Sequence, residues 1–154
     1  MKVVGLITEY NPFHNGHLHH IEEAKRITGA DTVIVVMSGY YVQRGVPAIM
    51  PKRLRAEMAL KCGASAIFEL PVCYSTGSAE YFALGAVSLL DSLGIVDYLC
   101  FGSESNDLDA LSHVADILSH EPHDYRTLLK SNLKKGSSFP SARQDAVLEY
   151  TKNP

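Results

Sequence analysis

The residues in this sequence that are best suited to bind a ligand or take part in catalysis are two histidines, His14 and His17. They flank Asn15 and Gly16. Two imidazoles three positions apart lie on nearly the same side of a helical turn. Each can donate a hydrogen bond to a phosphoryl oxygen, more strongly if it is protonated. The glycine has no Cβ, so a ligand can approach its backbone closely. This arrangement favours phosphate binding over a capping or surface role for the pair.

The histidine pair lies between an apolar run, residues 3–7, and a segment with apolar side chains at helical spacing, residues 18–28. The pattern predicts a buried strand, a loop and a helix, with the histidines at the entry to the helix. Unpaired N–H groups and the helix dipole stabilise an anion there. Asn11 and Pro12 predict a turn out of the strand. Loops at this position hold the ligand sites of open α/β sheets.

Apolar runs recur about every 30 residues, which is the length of a βα unit. They cover residues 3–7, 32–37, 66–70 and 97–101, and each interval contains one helical pattern, at about 18–28, 51–62 and 78–93. The order predicts a Rossmann-like, three-layer α/β/α fold with a parallel sheet of about four to five strands. Three more helices are predicted at 107–119, 125–134 and 141–150. We therefore expect one nucleotide-binding domain over residues 1–154, with core βα units in 1–105 and a helical extension in 106–154.

Composition excludes several other classes of protein. The chain has 154 residues, 46% hydrophobic and 20% charged, and a formal net charge of −3, so bulk charge does not make it a nucleic-acid binder. No run is long enough to span a bilayer, and the first residues lack the pattern of a signal peptide. The three cysteines, Cys62, Cys73 and Cys100, have no CxxC spacing, which argues against disulfides or a zinc knuckle and predicts a cytoplasmic location.

Other ligand motifs are absent or incomplete. The sequence contains no GxxxxGK[ST] phosphate loop, no GxGxxG after the first strand, and no GxSxG nucleophile elbow. His19 and His20 extend the histidine cluster, but no carboxylate or thiolate completes a metal-ligand set with them, so we predict no protein-held metal. His19 is expected to be a solvated helix residue.

The segment from Asn11 to His17 resembles the His-x-Gly-His signature of the nucleotidylyltransferase superfamily. Further motifs, in order along the chain, are similar to the amino-terminal part of the tRNA(Met) cytidine acetate ligase family. These motifs are Met37-Ser38-Gly39, Gln43-Arg44-Gly45, residues 55–60, Glu69-Leu70-Pro71 and Phe101-Gly102-Ser103-Glu104. Family members are considerably longer, so the resemblance predicts that this sequence is a fragment of a longer chain.

The resemblance implies that ATP activates acetate as acetyl-adenylate, and that the acetyl group passes to N4 of the wobble cytidine of elongator tRNA(Met). It implies that His14 and His17 are catalytic and that Mg²⁺ helps to neutralise phosphoryl charge. The implied ATP contacts are Ile7, Thr8, Glu9, Tyr10, Asn11, Pro12, Phe13, His14, Asn15, Gly16, His17, Leu18, His19, His20 and Gly102.

Two other functions fit the same residues. One is a small-molecule adenylyltransferase acting on a mononucleotide or phosphopantetheine, and the other is a catalytically incomplete nucleotide-binding module. The loop that contains Tyr40, Tyr41 and Arg44 is either a simple connection, a lid, or a stacking platform for a base. Lys52, Arg53 and Arg55 are expected on a solvated helix face.

Overall fold

The computed structural model describes residues 1–152, so the last two residues of the predicted helical extension, 153 and 154, lie outside the described part. The chain divides into two compact units, Met1–Gly102 and Ser103–Pro154. Within residues 1–152, no helix is both long enough and apolar enough to cross a membrane.

The first unit contains a four-stranded sheet in the order β3-β2-β1-β4, with every neighbouring pair parallel. Its strands are β1 (Val3–Thr8), β2 (Thr32–Ser38), β3 (Ala66–Leu70) and β4 (Tyr98–Leu99). The predicted parallel sheet is therefore confirmed. All four strands end at one edge, which brings the loops that follow them together.

Helices cover both faces of this sheet, as the three-layer prediction requires. They are α1 (Asn15–Thr28), α2 (Lys52–Lys61), the single turn α3 (Val72–Ser75) and α4 (Ala79–Ser92). On one face, Ile21 of α1 and Ala59 of α2 pack with Val33 and Val35 of β2. On the other face, α4 packs against side chains of β1 and β2 in a second core cluster. The continuous apolar sequence of β2 follows from this burial on both faces.

Three features of the first unit differ from prediction. Helix α1 begins at Asn15 rather than Leu18, because side chains of the histidine pair cap its first turn. Strand β4 is only two residues long; before it, the Asp97 carboxylate accepts from the Val3 N–H and its own N–H donates to the Val3 carbonyl. Helix α3 was not predicted, because one turn is too short to show a period.

The second unit is helical and contains α5 (Leu108–His120), α6 (His123–Lys134) and α7 (Phe139–Lys152). Each helix begins and ends within two residues of its predicted bounds. Its core contains Ile117, Tyr125 and Ala146, each from a different helix.

Two isoleucines of α1 that stand at helical spacing have opposite environments. Ile21 is fully buried, whereas Ile27, near the end of the helix, is 66% exposed. We expect Ile21→Ala to lower the free energy of unfolding by about 2–4 kcal/mol through lost burial and a cavity. Ile27→Ala is the matched control and should change it by less than about 0.5 kcal/mol. A urea titration followed through amide signals of β1 and β2 measures both, and equal losses would contradict this packing.

Candidate active site

A cleft of about 410 Å³ lies at the loop between β1 and α1. We call it the histidine cleft, and it is lined by Ile7, Thr8, Glu9, Tyr10, Asn11, Pro12, His14, His17 and His20. All nine residues belong to the set of predicted ATP contacts. The cleft lies at the carboxyl edge of the sheet, at the start of a 14-residue helix.

The side chains of the two signature histidines cap the first turn of α1. His14 is the N-cap residue, and its Nδ1 accepts a hydrogen bond from the Gly16 N–H at 3.1 Å. In return, Nδ1 of His17 accepts from the His14 N–H at 3.2 Å. This is a capping box in which imidazoles replace the usual hydroxyl and carboxylate. Their rings stack with centroids 3.7 Å apart, so they face the same region.

These bonds determine what the rings offer to a ligand. Because each Nδ1 accepts an N–H, a neutral ring carries its proton on Nε2, and both Nε2–H groups remain donors. The Gly16 amide is already used by His14, and a Cβ at Gly16 would lie 3.0 Å from the His14 ring. The glycine therefore makes room for an imidazole, and the ring donors stand in for the Gly16 amide expected to meet phosphate.

Burial holds the pKa of His17 below its ordinary value, and the neighbouring charges of His14 and His20 add to this effect. The pKa of His20 is also lowered, first by burial and then by His19. A neutral imidazole donating through Nε2 is thus the favoured form of His17. A protonated Nδ1 could no longer accept the His14 N–H.

An aromatic cluster fixes the His17 ring. Tyr10 lies edge-on to His17 at 4.8 Å and to Phe13 at 4.9 Å between ring centroids. Tyr10 adopts a left-handed backbone conformation, φ 47°, and is fully buried in the core. Burial raises the pKa of Tyr10 to about 12, against a smaller opposing effect of the Thr8 hydroxyl. The ring is therefore a neutral support for His17.

Three residues of the histidine cleft have a buried polar atom that forms no complete hydrogen bond within the described residues. These atoms are Thr8 Oγ1, Tyr10 Oη and His20 Nε2. Buried polar groups are normally paired, and exceptions concentrate where a ligand or water completes the set. The cleft is therefore equipped for a polar ligand.

Arg55 of α2 is the main residue that the sequence analysis misplaced. Its side chain is fully buried rather than solvated, and its guanidinium donates to the carbonyl oxygens of Glu9, Gly39 and Met50. Burial lowers the pKa of Arg55, and the charges of Glu9 and Glu69 oppose this effect. One side chain thus holds the loop after β1 against the loop after β2. The available signal was its spacing, four residues before the buried Ala59.

The loop after β2, residues 39–51, is held in place by side chains of the loop after β1. Oε1 of Glu9 accepts from the Gln43 N–H at 2.9 Å, and Oδ1 of Asn11 accepts from the Ile49 N–H at 2.7 Å. A bridge between Tyr41 and Pro47 closes the loop on itself. This anchoring favours a fixed wall over a lid.

The other predicted contacts lie outside the lining of the histidine cleft. Phe13 packs against the core, Asn15, Gly16 and Leu18 form the first turn of α1, and His19 is exposed as expected. Gly102 is exposed at the end of the first unit, after β4, with open space around its α-carbon.

This site offers few free oxygen atoms that could coordinate Mg²⁺. Glu9 Oε1 and Asn11 Oδ1 already accept backbone N–H groups, and imidazole nitrogens do not suit this hard cation. Within residues 1–152, no group of three or more His, Cys, Asp or Glu side chains could hold a metal ion. The residues present thus do not fit a protein-held Mg²⁺; one accompanying ATP would be held by phosphate and water.

A parallel sheet with paired histidines at the first strand-to-helix junction is the architecture of a nucleotidyl transferase. The family model described as HIGH Nucleotidyl Transferase matches residues 1–154. The chain therefore belongs to the HIGH nucleotidyl transferase family.

Curated relatives carry a more specific name, tRNA(Met) cytidine acetate ligase. The one from Acetivibrio thermocellus is 56% identical over 151 residues, covering 98% of this chain and 36% of the relative. The one from Caldanaerobacter subterraneus subsp. tengcongensis is 55% identical over 151 residues, covering 98% and 38%. The chain thus spans little more than a third of these relatives, and the resemblance seen in its ordered motifs is confirmed.

Solved structures agree with this assignment. Thermotoga maritima TmcAL bound with alpha-thio ATP matches with a TM-score of 0.94 and 49% identity, over 99% of this chain and 37% of that one. Its apo form also matches with a TM-score of 0.94. The predicted fold class is confirmed.

The lowered pKa of His17 predicts the direction in which stability changes with pH. The unfolded chain binds this proton more readily than the folded one, so His17 lowers stability as the pH falls below its ordinary pKa of about 6.5. An NMR titration of the His17 ring should give a midpoint below about 6.5, moving upward in His14→Gln, which removes one neighbouring charge. A midpoint at or above 6.5 in the unmodified chain would contradict the burial of His17.

Replacing Arg55 tests the contact by which its side chain holds the two loops together. Arg55→Met leaves three carbonyl oxygens without their donor, so we expect the free energy of unfolding to fall by about 3 kcal/mol or more. Arg53→Met, on the exposed side of the same helix, is the matched control and should cost less than about 0.5 kcal/mol. Urea titrations followed through β1 and β2 amide signals compare them. Arg55→Lys, which retains one donor group, should lie between the two.

Proposed function

We propose that this chain binds ATP in the histidine cleft and activates acetate there as acetyl-adenylate. The observation that carries the proposal is the reciprocal cap, which aims two stacked imidazole donors from one helix N-terminus. The proposal is also supported by the ATP analogue named for the Thermotoga maritima relative. The chain's own part of the reaction is to bind the triphosphate and stabilise charge at the reacting phosphorus.

In the first step, a carboxylate oxygen of acetate attacks the α-phosphorus of ATP. The bond from that phosphorus to the bridging oxygen of the β-phosphate breaks, and pyrophosphate leaves with the electron pair. The Nε2–H groups of His14 and His17 donate to phosphoryl oxygens as charge develops on them. No protein nucleophile is required, because acetate itself attacks. The two rings supply donors without a proton transfer.

In the second step, the N4 amine of the wobble cytidine of elongator tRNA(Met) attacks the acetyl carbonyl. The bond from the carbonyl carbon to the phosphate oxygen breaks, AMP leaves, and the amine loses a proton. Support for this step comes from the name carried by the curated relatives. We propose a cytoplasmic location, which the three free cysteines support.

Replacing His17 tests the first step. We expect His17→Ala to lower acetate-dependent ATP–pyrophosphate exchange by roughly 10²–10³, the loss typical of one charge-stabilising donor. His17→Asn is a sharper variant, because its side-chain oxygen can still accept the His14 N–H while the Nε2 donor is lost. It should unfold at nearly the same urea concentration as the unmodified chain, yet lose a similar share of exchange.

The control is His113→Ala, an exposed position in the second unit, which should exchange normally. The assay is run beside a full-length relative, since this chain covers only part of one. Near-normal exchange by His17→Asn would refute the assignment. Exchange driven by a mononucleotide or phosphopantetheine instead of acetate would indicate a small-molecule adenylyltransferase. ATP binding without exchange, in both proteins, would indicate a nucleotide-binding module.

A further inference from the structure

A second cleft, which no part of the reaction above uses, lies at the carboxyl ends of β2 and β3. We call it the tyrosine cleft; it has a volume of about 220 Å³. Its lining includes Gly39, Tyr40, Tyr41, Glu69, Leu70 and Ser75. Both tyrosine rings are about half exposed. The cleft thus combines aromatic surface with a carboxylate.

The tyrosine cleft adjoins the histidine cleft through Arg55. One terminal nitrogen of its guanidinium donates to the carbonyl of Glu9, which lines the histidine cleft. The other donates to the carbonyl of Gly39, which lines the tyrosine cleft. Because one planar group reaches both carbonyls, the linings of the two clefts are joined at this point. Backbone atoms of the two linings therefore lie beside the same guanidinium.

The backbone that carries the two tyrosines of this cleft is anchored by hydrogen bonds. The Ser75 hydroxyl donates to the Tyr41 carbonyl at 3.0 Å, and the Ala48 N–H donates to the Tyr40 carbonyl at 2.9 Å. The Lys52 ammonium lies 4.8 Å from the centre of the Tyr40 ring. A preordered aromatic surface costs little entropy when a flat ring stacks on it.

The carboxylate of Glu69 has one committed oxygen and one free oxygen. Oε2 accepts from Lys52 at 2.5 Å, while Oε1 has no hydrogen-bond partner among the described residues. Oε1 packs over Gly39, where a Cβ would come within 2.3 Å of it. The glycine therefore allows the carboxylate to lie across the cleft. Its free oxygen is an acceptor for an N–H donor from a ligand.

We infer that the tyrosine cleft receives the acceptor base of the RNA, stacked on tyrosine, with its exocyclic amine donating to Glu69. This inference rests on the proposed function, in which such an amine takes the acetyl group. A carboxylate accepts from the amine of cytosine, whereas uracil presents a carbonyl oxygen at the same position and is repelled. The cleft therefore selects cytosine over uracil and holds it beside the bound nucleotide.

The test is an NMR titration of the ¹⁵N-labelled chain with cytidine and with uridine, nucleosides without phosphate. Cytidine should shift the amide signals of residues 39–41 and 69–75 and bind about tenfold more tightly than uridine, within the usual worth of one base contact. Glu69→Gln should reduce that preference to about one. Tyr41→Leu should weaken both nucleosides, whereas Tyr81→Leu, an exposed tyrosine on α4, should change neither.

Each result bears on the inference. Cytidine shifts confined to residues 7–20, or a cytidine preference unchanged in Glu69→Gln, would overturn it. A parallel titration with ATP reports on residues 7–20 and tests the nucleotide site independently. ATP binding without any cytidine response therefore removes the base site and leaves the proposed activation step intact.

Discussion

The site depends on one buried cation. The Arg55 guanidinium satisfies carbonyl oxygens from two loops and from the approach to its own helix, in an interior where an unpaired carbonyl is costly. Only a planar group with several donors can reach all three at once. Burying its charge is unfavourable, but Glu9 and Glu69 offset part of that cost. The loops that line both clefts are joined by this contact.

In the histidine pair, the two nitrogens of each ring have different roles. Each Nδ1 faces inward and completes the helix cap, and each Nε2 faces outward as a donor. In the proposed function, capping also prepares the rings for binding, since the bond that holds each ring determines its tautomer. Structural and functional explanations of His14 and His17 are not alternatives. They describe opposite edges of the same two rings.

The elements that sequence patterns predicted well are those whose environment is uniform along the chain. The β2 strand is buried on both faces, so its apolar run marks it directly, and β3 has its predicted bounds. Prediction was weaker where a single contact decides, as for Asp97 at the start of β4. The histidine cleft was predicted in outline because its residues are contiguous. The contacts of Arg55 were not predicted, because the three residues that accept its hydrogen bonds lie 46, 16 and 5 positions away in the sequence.

The sequence by itself determined the order of βα units, the position of the histidine pair at the first helix, and the family resemblance. These follow from local patterns, in which period and neighbouring residues carry the information. Only the tertiary structure decided that Arg55 is buried, that Glu9 and Asn11 anchor another loop, and that Glu69 crosses Gly39. The physical reason is that a charged side chain looks the same in a sequence whether it meets water or distant carbonyl groups. Its environment exists only once the strands have aligned.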